Sequence, residues 1–371
     1  MEAVDVLVVG LGPAGAAAAY RAAAAGLSVL AIDKKKRIGE PVQCAEFVPT
    51  PLMKYTQGAG VLIQRVTGMK SFLPSGAVEK SSFPGLMVDR AAFDRALAQQ
   101  ARAAGAQICT ETRLSRLQRQ AAVLGVGEIK QVDATAADIA DIEQAGYGLR
   151  TIQYKVLIAG DGPHSGVARL LNLPDLSLVL TRQYTVSLRR AYDDTDIWLS
   201  DEFPGGYGWL FPKGELANVG LGADRRYEAN LKIPLERLHA HLVALGLVGR
   251  EISARTGGAI PVGGMRASLV HGNILFAGDA AGLTHPITGA GIAAAVVSGE
   301  HAGNAAAEFV KTGDAQALWD YDADMRDQYE TTLVRAVARR AALEACWRKP
   351  AAQDDGVMRR GWIAFEEYFA A

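Results

Sequence analysis

Three stretches of this chain share one order of apolar and polar positions: a short β-branched run, a glycine turn, then alanine-rich residues at helical spacing. "VDVLVVGLGPAGAAAAYRAAAAGLSVLAIDKK" begins with Val4 to Val9, continuously apolar as a strand buried on both faces should be. A helix and a second strand follow. "YKVLIAGDGPHSGVAR" (Tyr154–Arg169) and "GNILFAGDAAGLTHPITGAGIAAAVVSGEHAG" (Gly272–Gly303) repeat the order. Between the last two the period changes to two. "GGYGWLFPKGELANVGLG" (Gly205–Gly222) puts Tyr207, Trp209 and Phe211 on one face of one strand, which Pro212 is expected to end. Lys213-Gly214 then makes the turn of a hairpin. In isolation this segment reads as a core-facing aromatic strand. "VTGMKSFLPSGAVEKSSFP" and "RQYTVSLRRAY" read as further strands of the same sheet. Gln118 to Gly148 is polar and without firm periodicity, expected to be a hairpin with an insertion, and carries no functional signal.

Composition excludes several classes. Of 371 residues, 49% are apolar and 21% charged, a globular balance. Lys plus Arg number 39 against 40 Asp plus Glu, so no net field draws a nucleic acid. Three widely spaced cysteines argue against a disulfide framework and for a reducing compartment. The six histidines show no metal-ligand spacing, and a metal at the acidic turn Asp193 to Asp196 has nothing else converging on it. The apolar stretch Val6 to Tyr20 follows Glu2 and Asp5 and is interrupted by Pro13, unlike a signal peptide or a spanning helix. A cytoplasmic protein is expected.

The first block carries G-x-G-x-x-G at Gly10, Gly12 and Gly15, with Pro13 and Ala14 inside it. The first glycine permits the tight turn, the second lets backbone approach a pyrophosphate, and the third lets helix pack on strand. The helix start offers its amides to phosphate. Asp33, followed by Lys34, ends the second strand, where a carboxylate can accept both ribose hydroxyls of an adenosine. The later blocks distinguish FAD from NAD. Asp161 and Gly278-Asp279 stand at strand ends, where Asp can bond a ribityl hydroxyl. A helix beginning near Gly289, with Gly291 and Ile292, can set its positive end by the flavin N1–C2=O edge.

These motifs together resemble the flavoprotein superfamily of aromatic hydroxylases and flavin-dependent halogenases. "MVDRAAFDRALAQQARAAGAQI" fits it, and in relatives the residue matching Arg90 touches FAD. Within the superfamily, residues 1–330 look most like the geranylgeranyl reductase family. Its Y-x-W-x-F-P-K-G motif is matched by Tyr207, Trp209, Phe211, Pro212, Lys213 and Gly214, and its loop cysteine by Cys44 in "PVQCAEFVP". Relatives often read Cys-Gly-Glu where this chain has Cys44-Ala45-Glu46. The resemblance implies that both segments border the flavin and that a polyprenyl chain is the substrate. An alternating aromatic face agrees, being a wide apolar wall that presses an alkene flat and excludes water.

The implied fold is α/β (α+β overall): a discontinuous Rossmann-like FAD domain (1–60, 85–180, 265–330), a mostly antiparallel substrate sheet (61–84, 181–264) and C-terminal helices (331–371). The implied activity is hydride transfer from reduced flavin N5 to carbon–carbon double bonds of a polyprenyl or similarly apolar lipid. Cys44 or Tyr207 is then the proton donor by resemblance, each protonated near neutral pH, with Cys44 reading equally as a packing residue that shapes the ring face. Lys213 reads either as an anchor for a diphosphate or phospholipid head or as a solvated turn residue. The electron donor stays open between NADPH, a ferredoxin-type protein and a quinone. A monooxygenase or halogenase-like enzyme, or a module passing electrons to a membrane quinone, are the alternatives. The tail "GVMRRGWIAFEEYFAA" reads as an amphipathic helix, either at a membrane interface, giving peripheral contact, or packed on the core or on a dimer partner.

Overall fold

The computed structural model describes residues 2–118 and 137–370. Most of the insertion expected within 118–148 therefore lies outside the described residues. Its flanks, Thr112–Gln118 and Asp138–Gln144, pair antiparallel, and Gly148–Ala159 continues that meander into the first sheet.

The first sheet is parallel at its centre, in the order Ile274–Phe276, Gly148–Ala159, Glu2–Val9, Val29–Ile32 and Gln107–Cys109. Its apolar runs are covered on both faces, which is why Val6, Leu7, Val8 and Val156 to Ala159 are almost wholly buried. The helix Pro13–Ala24 packs on this sheet and against the long helix Ile292–Thr312. That contact is close because it is made by small residues. A Cβ on Gly299 would stand 2.1 Å from the Ala14 carbonyl oxygen, and one on Gly303 2.5 Å from that of Ala18. The long helix starts at Ile292, with Gly291 before it offering no side-chain cap, rather than near Gly289, whose φ of +69° belongs to the preceding turn.

The second sheet runs Val248–Thr256, Leu178–Leu188, Leu216–Ala223, Gly208–Lys213, Asp194–Trp198, Leu62–Phe72, Val78–Val88 and Phe47–Pro49. Its main path is antiparallel apart from the parallel pairing of Asp194–Trp198 with Leu62–Phe72. Two stretches expected in the nucleotide-binding unit, Phe47–Pro49 and Gly85 to Val88, pair here instead. Pro212 does not end its strand. It pairs with Ala217, and the strand closes one residue later at Lys213 opposite Leu216. Gly214, at φ +66°, makes the turn.

One face of this sheet is covered by the helix Lys232–Ala244 through Leu235, Leu238 and Leu242. The other gathers Val66, Met69, Ile197, Trp209 and Phe211, and receives Met358, Trp362, Phe365 and Tyr368 from the tail. The tail is a short helix, Asp355–Gly361, followed by irregular backbone, and it is tied down by bonds from Ser75 N–H and Oγ to Asp355 (3.0 and 2.5 Å). Of the readings the sequence offered for the tail, the core-packed one holds and the interfacial helix does not: its aromatics face the core, and among its described residues Phe369 is the large apolar side chain left exposed. The acidic turn is likewise spent internally. Asp194 pairs with Lys70 (3.3 Å) and Lys80 (2.8 Å), and Asp196 accepts the Tyr192 hydroxyl (2.8 and 2.7 Å).

Gly299→Ala should destabilise the protein by about 1–3 kcal/mol, because the added methyl overlaps backbone that cannot give way. Asn304→Ala, at an exposed position of the same helix, should be close to neutral. Urea denaturation of the two variants measures the difference, and equal midpoints would show that the helix contact has slack.

Candidate active site

The carboxyl ends of the parallel strands open into a cavity of about 1750 Å³ that continues onto the aromatic face of the second sheet. This exceeds the ~300–1,000 Å³ of ordinary ligand pockets, leaving room for a large cofactor and a second guest. Three walls define it.

The first wall is the glycine turn. Gly10, Gly12, Pro13, Ala14, Asp33 and Lys34 line it, whereas Gly15 lies behind, where a Cβ would stand 1.7 Å from the Gly10 carbonyl oxygen. A Cβ on Gly12 would meet nothing within 4 Å, so the cradle is open on its cavity side. The helix that starts here has no side-chain cap, which leaves its first amides for an anion. Asp33 is fixed at the strand end by the Leu11 and Lys35 N–H groups (2.7 and 2.8 Å) and keeps acceptor capacity for hydroxyls.

The second wall holds the other two strand ends. Asp161 accepts from the Gly166 and Val167 N–H groups (2.7 and 3.1 Å) through one oxygen, while its buried Oδ1 has no partner. Asp279 takes the Thr284 hydroxyl at 2.6 Å. Burial pushes both carboxyls above the usual carboxylate range. Gly289, Gly291 and Ile292 line the cavity at the uncapped start of the long helix, with Gly278 packed behind against Ala14 and Ala295. Arg90 completes this side, held by Asp94 at 2.7 and 3.3 Å. An open anion cradle, a ribose-type acid, an orphaned buried acceptor and an uncapped helix start are together what FAD requires, and the residues fit it.

The third wall is the aromatic strand. Tyr207, Trp209 and Phe211 all line the cavity, with ring centroids 5.7 and 6.4 Å apart in sequence, and Phe47 extends the row 6.1 Å from Phe211. Trp362 from the tail stands 4.9 Å from Tyr207. Cys44 and Ala45 sit where this wall meets the nucleotide side. Burial raises the Cys44 thiol above its ordinary value, opposed by the nearby Arg90 guanidinium. The Tyr207 phenol is also raised by burial, and its hydroxyl donates to the Thr288 carbonyl at 2.5 Å.

Lys213 is corrected. It is absent from the cavity wall and donates to both carboxylate oxygens of buried Glu46 (2.9 and 2.8 Å), so it is neither a free anchor for an anionic head nor a solvated turn residue. Four site residues carry no motif of their own. Glu46 was visible in the sequence only as the residue after Cys44-Ala45. Gln183 takes the Trp209 indole N–H and donates to the Cys44 carbonyl, each at 3.1 Å. Asn218 donates to Glu46 Oε2 at 2.8 Å. His285, on the cavity, accepts the Ile287 and Thr288 N–H groups at Nδ1 (both 3.3 Å), and burial pushes it down to about 4, which keeps it neutral.

Sequence comparison agrees with this geometry. A profile for FAD dependent oxidoreductases matches residues 5–144, one for the geranylgeranyl reductase catalytic domain matches 179–244, and one for lycopene cyclase protein matches 229–348. The digeranylgeranylglycerophospholipid reductase of Methanocella arvoryzae is 34% identical over 342 residues, covering 87% of this chain and 83% of the relative. The solved geranylgeranyl bacteriochlorophyll reductase-like protein of Thermoplasma acidophilum superposes with a TM-score of 0.85 at 27% identity, covering 98% and 93% of the two chains. PqsL of Pseudomonas aeruginosa, a probable FAD-dependent monooxygenase, shares the fold at 19% identity and a TM-score of 0.71, covering 96% of this chain and all of PqsL (100%). The chain belongs to the geranylgeranyl reductase family of FAD-dependent oxidoreductases.

Proposed function

We propose that this protein reduces carbon–carbon double bonds in the polyprenyl chains of a lipid. The observation that carries the reading is the continuity of one cavity from the nucleotide cradle to an aromatic wall, with a half-buried thiol at the junction. When bound and reduced, FAD supplies the hydride for one alkene carbon. The chain's own residues supply the rest. Trp209, Phe211 and Phe47 offer flat apolar surface to an isoprenoid and displace water from it. The second alkene carbon needs a proton. The Tyr207 proton is committed to the Thr288 carbonyl, whereas the Cys44 sulfur receives the Glu46 N–H at 3.2 Å and leaves its own S–H available. Cys44 is therefore the better placed acid, with Arg90 nearby to stabilise the thiolate it would leave. Tyr207 serves the wall and anchors the loop before the long helix.

Among the described residues no helix is long and apolar enough to cross a membrane. We place the encounter with lipid at a membrane surface on the cytoplasmic side, with the electron donor drawn from NADPH, a ferredoxin-type protein or a quinol.

Dithionite-reduced protein mixed anaerobically with digeranylgeranyl phospholipid should reoxidise its flavin, and the lipid should gain two mass units per double bond. Flavin that stays reduced until oxygen enters would move the monooxygenase reading ahead. The same assay run from each donor identifies which one reloads the protein.

Cys44→Ser should slow alkene reduction by about 10²–10⁴-fold while dithionite still reduces the flavin, the range expected for losing a general acid. Tyr207→Phe should cost much less. Because burial raises the thiol and the protonated form is the active one, turnover should hold through neutral pH. It should decline only above the ordinary thiol range of about 8.5. Unchanged turnover in Cys44→Ser would remove the assignment.

A further inference from the structure

The side chains that face the apolar guest cannot hold themselves in place, since apolar contacts are not directional. Behind them runs a polar seam. Glu46 is 3% exposed and its backbone is left-handed, at φ +71°, a conformation that a non-glycine residue keeps only when its surroundings impose it. Its carboxylate takes donors from three separate elements. Lys213 Nζ reaches both oxygens from the end of the aromatic strand (2.9 and 2.8 Å), Asn218 Nδ2 reaches Oε2 from the partner strand (2.8 Å), and the Arg90 backbone N–H reaches Oε1 from the start of a helix (2.9 Å). Asn218 also donates to the Ala45 carbonyl (3.3 Å) and accepts the Thr185 hydroxyl (3.0 Å). A second strut, Gln183, links the Trp209 indole to the Cys44 carbonyl. The backbone from the Cys44 carbonyl to Glu46 is thus pinned to the strand that carries the aromatic wall and to its neighbours.

We infer that Glu46, clamped by Lys213 and Asn218, is the positioning residue that fixes Cys44 and Arg90 relative to the aromatic wall. The lysine of the Y-x-W-x-F-P-K-G motif is then a strut of this clamp and makes no contact with substrate. Loss of the clamp misplaces the acid by a fraction of an ångström to an ångström, which is enough to slow chemistry by about ten- to hundredfold without altering the apolar surface that binds lipid. The inference rests on the reductase reading for its kinetic arm and on geometry alone for its chemical arm.

The test uses FAD-loaded protein carrying Glu46→Gln, Lys213→Met, both together, and Lys213→Arg. The two single variants should lower kcat by about ten- to hundredfold with the lipid KM little changed. Their combination should cost no more than the worse single, because the two residues act as a pair. The double variant also guards against misfolding, since removing both charges of a buried pair leaves neither one unpaired. Lys213→Arg should restore most of the activity by keeping the charge and donors. Independently, the rate at which a small thiol reagent modifies Cys44, followed by mass spectrometry of its peptide, should rise several-fold in both singles as the loop opens. That readout responds to the clamp whether or not Cys44 donates the proton, so failure of the acid assignment and failure of the clamp are separable. Wild-type kcat with unchanged Cys44 modification would overturn the inference. A KM increase in Lys213→Met confined to lipids with a charged head would overturn it too, by making Lys213 a substrate contact.

Discussion

The constraint on which the molecule depends is the meeting of three strand ends with no space between them. A Cβ on Gly10 would stand 2.5 Å from the Gly160 carbonyl oxygen, and one on Gly160 would stand 2.8 Å from the Gly15 nitrogen. Gly278 is packed less tightly, where a Cβ would stand 3.0 Å from the Ala14 methyl. Glycine alone tolerates these approaches, two of them in left-handed backbone at φ +94° (Gly10) and +61° (Gly278). Their consequence is chemical. Asp33, Asp161 and Asp279 are brought to one end of one sheet, together with the starts of the first and last of its helices. A cofactor long enough to span that end touches all of them, and segments far apart in the chain become one site.

This is why the nucleotide half was legible in the sequence. Each requirement there is local: a glycine for a turn, an acid at a strand end, alanines where two helices approach. Such demands leave a mark within a few residues of where they act. The aromatic strand was legible for a related reason, since period two places Tyr207, Trp209 and Phe211 on one face whatever lies opposite. What period two cannot say is whether that face meets a core or a cavity. Here it does both: Trp209 and Phe211 are nearly buried, yet they line the open space.

The misreadings share a cause. Lys213 follows a proline at a hairpin turn, a place where lysines usually meet solvent or ligand, and its true partner lies 167 residues away in the chain. No local pattern announces a pair of that separation. The two readings of the tail were left open for the same reason. Its aromatic and basic residues have the composition of an interfacial helix, but its apolar side is already occupied by the sheet face around Met69 and Ile197. His285 escaped notice because a lone histidine after a strand end has many ordinary explanations. Its role as a half-buried acceptor of two backbone amides belongs to a loop whose shape the sequence did not disclose.

An apolar guest imposes a condition that explains where the charges went. A polyprenyl chain gives no hydrogen bonds, so any unpaired charge on the wall beside it would be desolvated without compensation. Yet a proton must be delivered from a defined point, and definition requires directional bonds. The arrangement here separates the two needs. The wall itself is aromatic, the donor we propose is a neutral thiol, and the directional bonds are placed one layer back, where Glu46 and Lys213 neutralise each other and Asn218 and the Arg90 amide take up remaining acceptor sites. A well-packed apolar replacement of that buried pair could be as stable or more so. What it could not do is fix the register between a loop from the nucleotide side and a strand from the substrate side. The ion pair is retained, on this view, for position and not for stability.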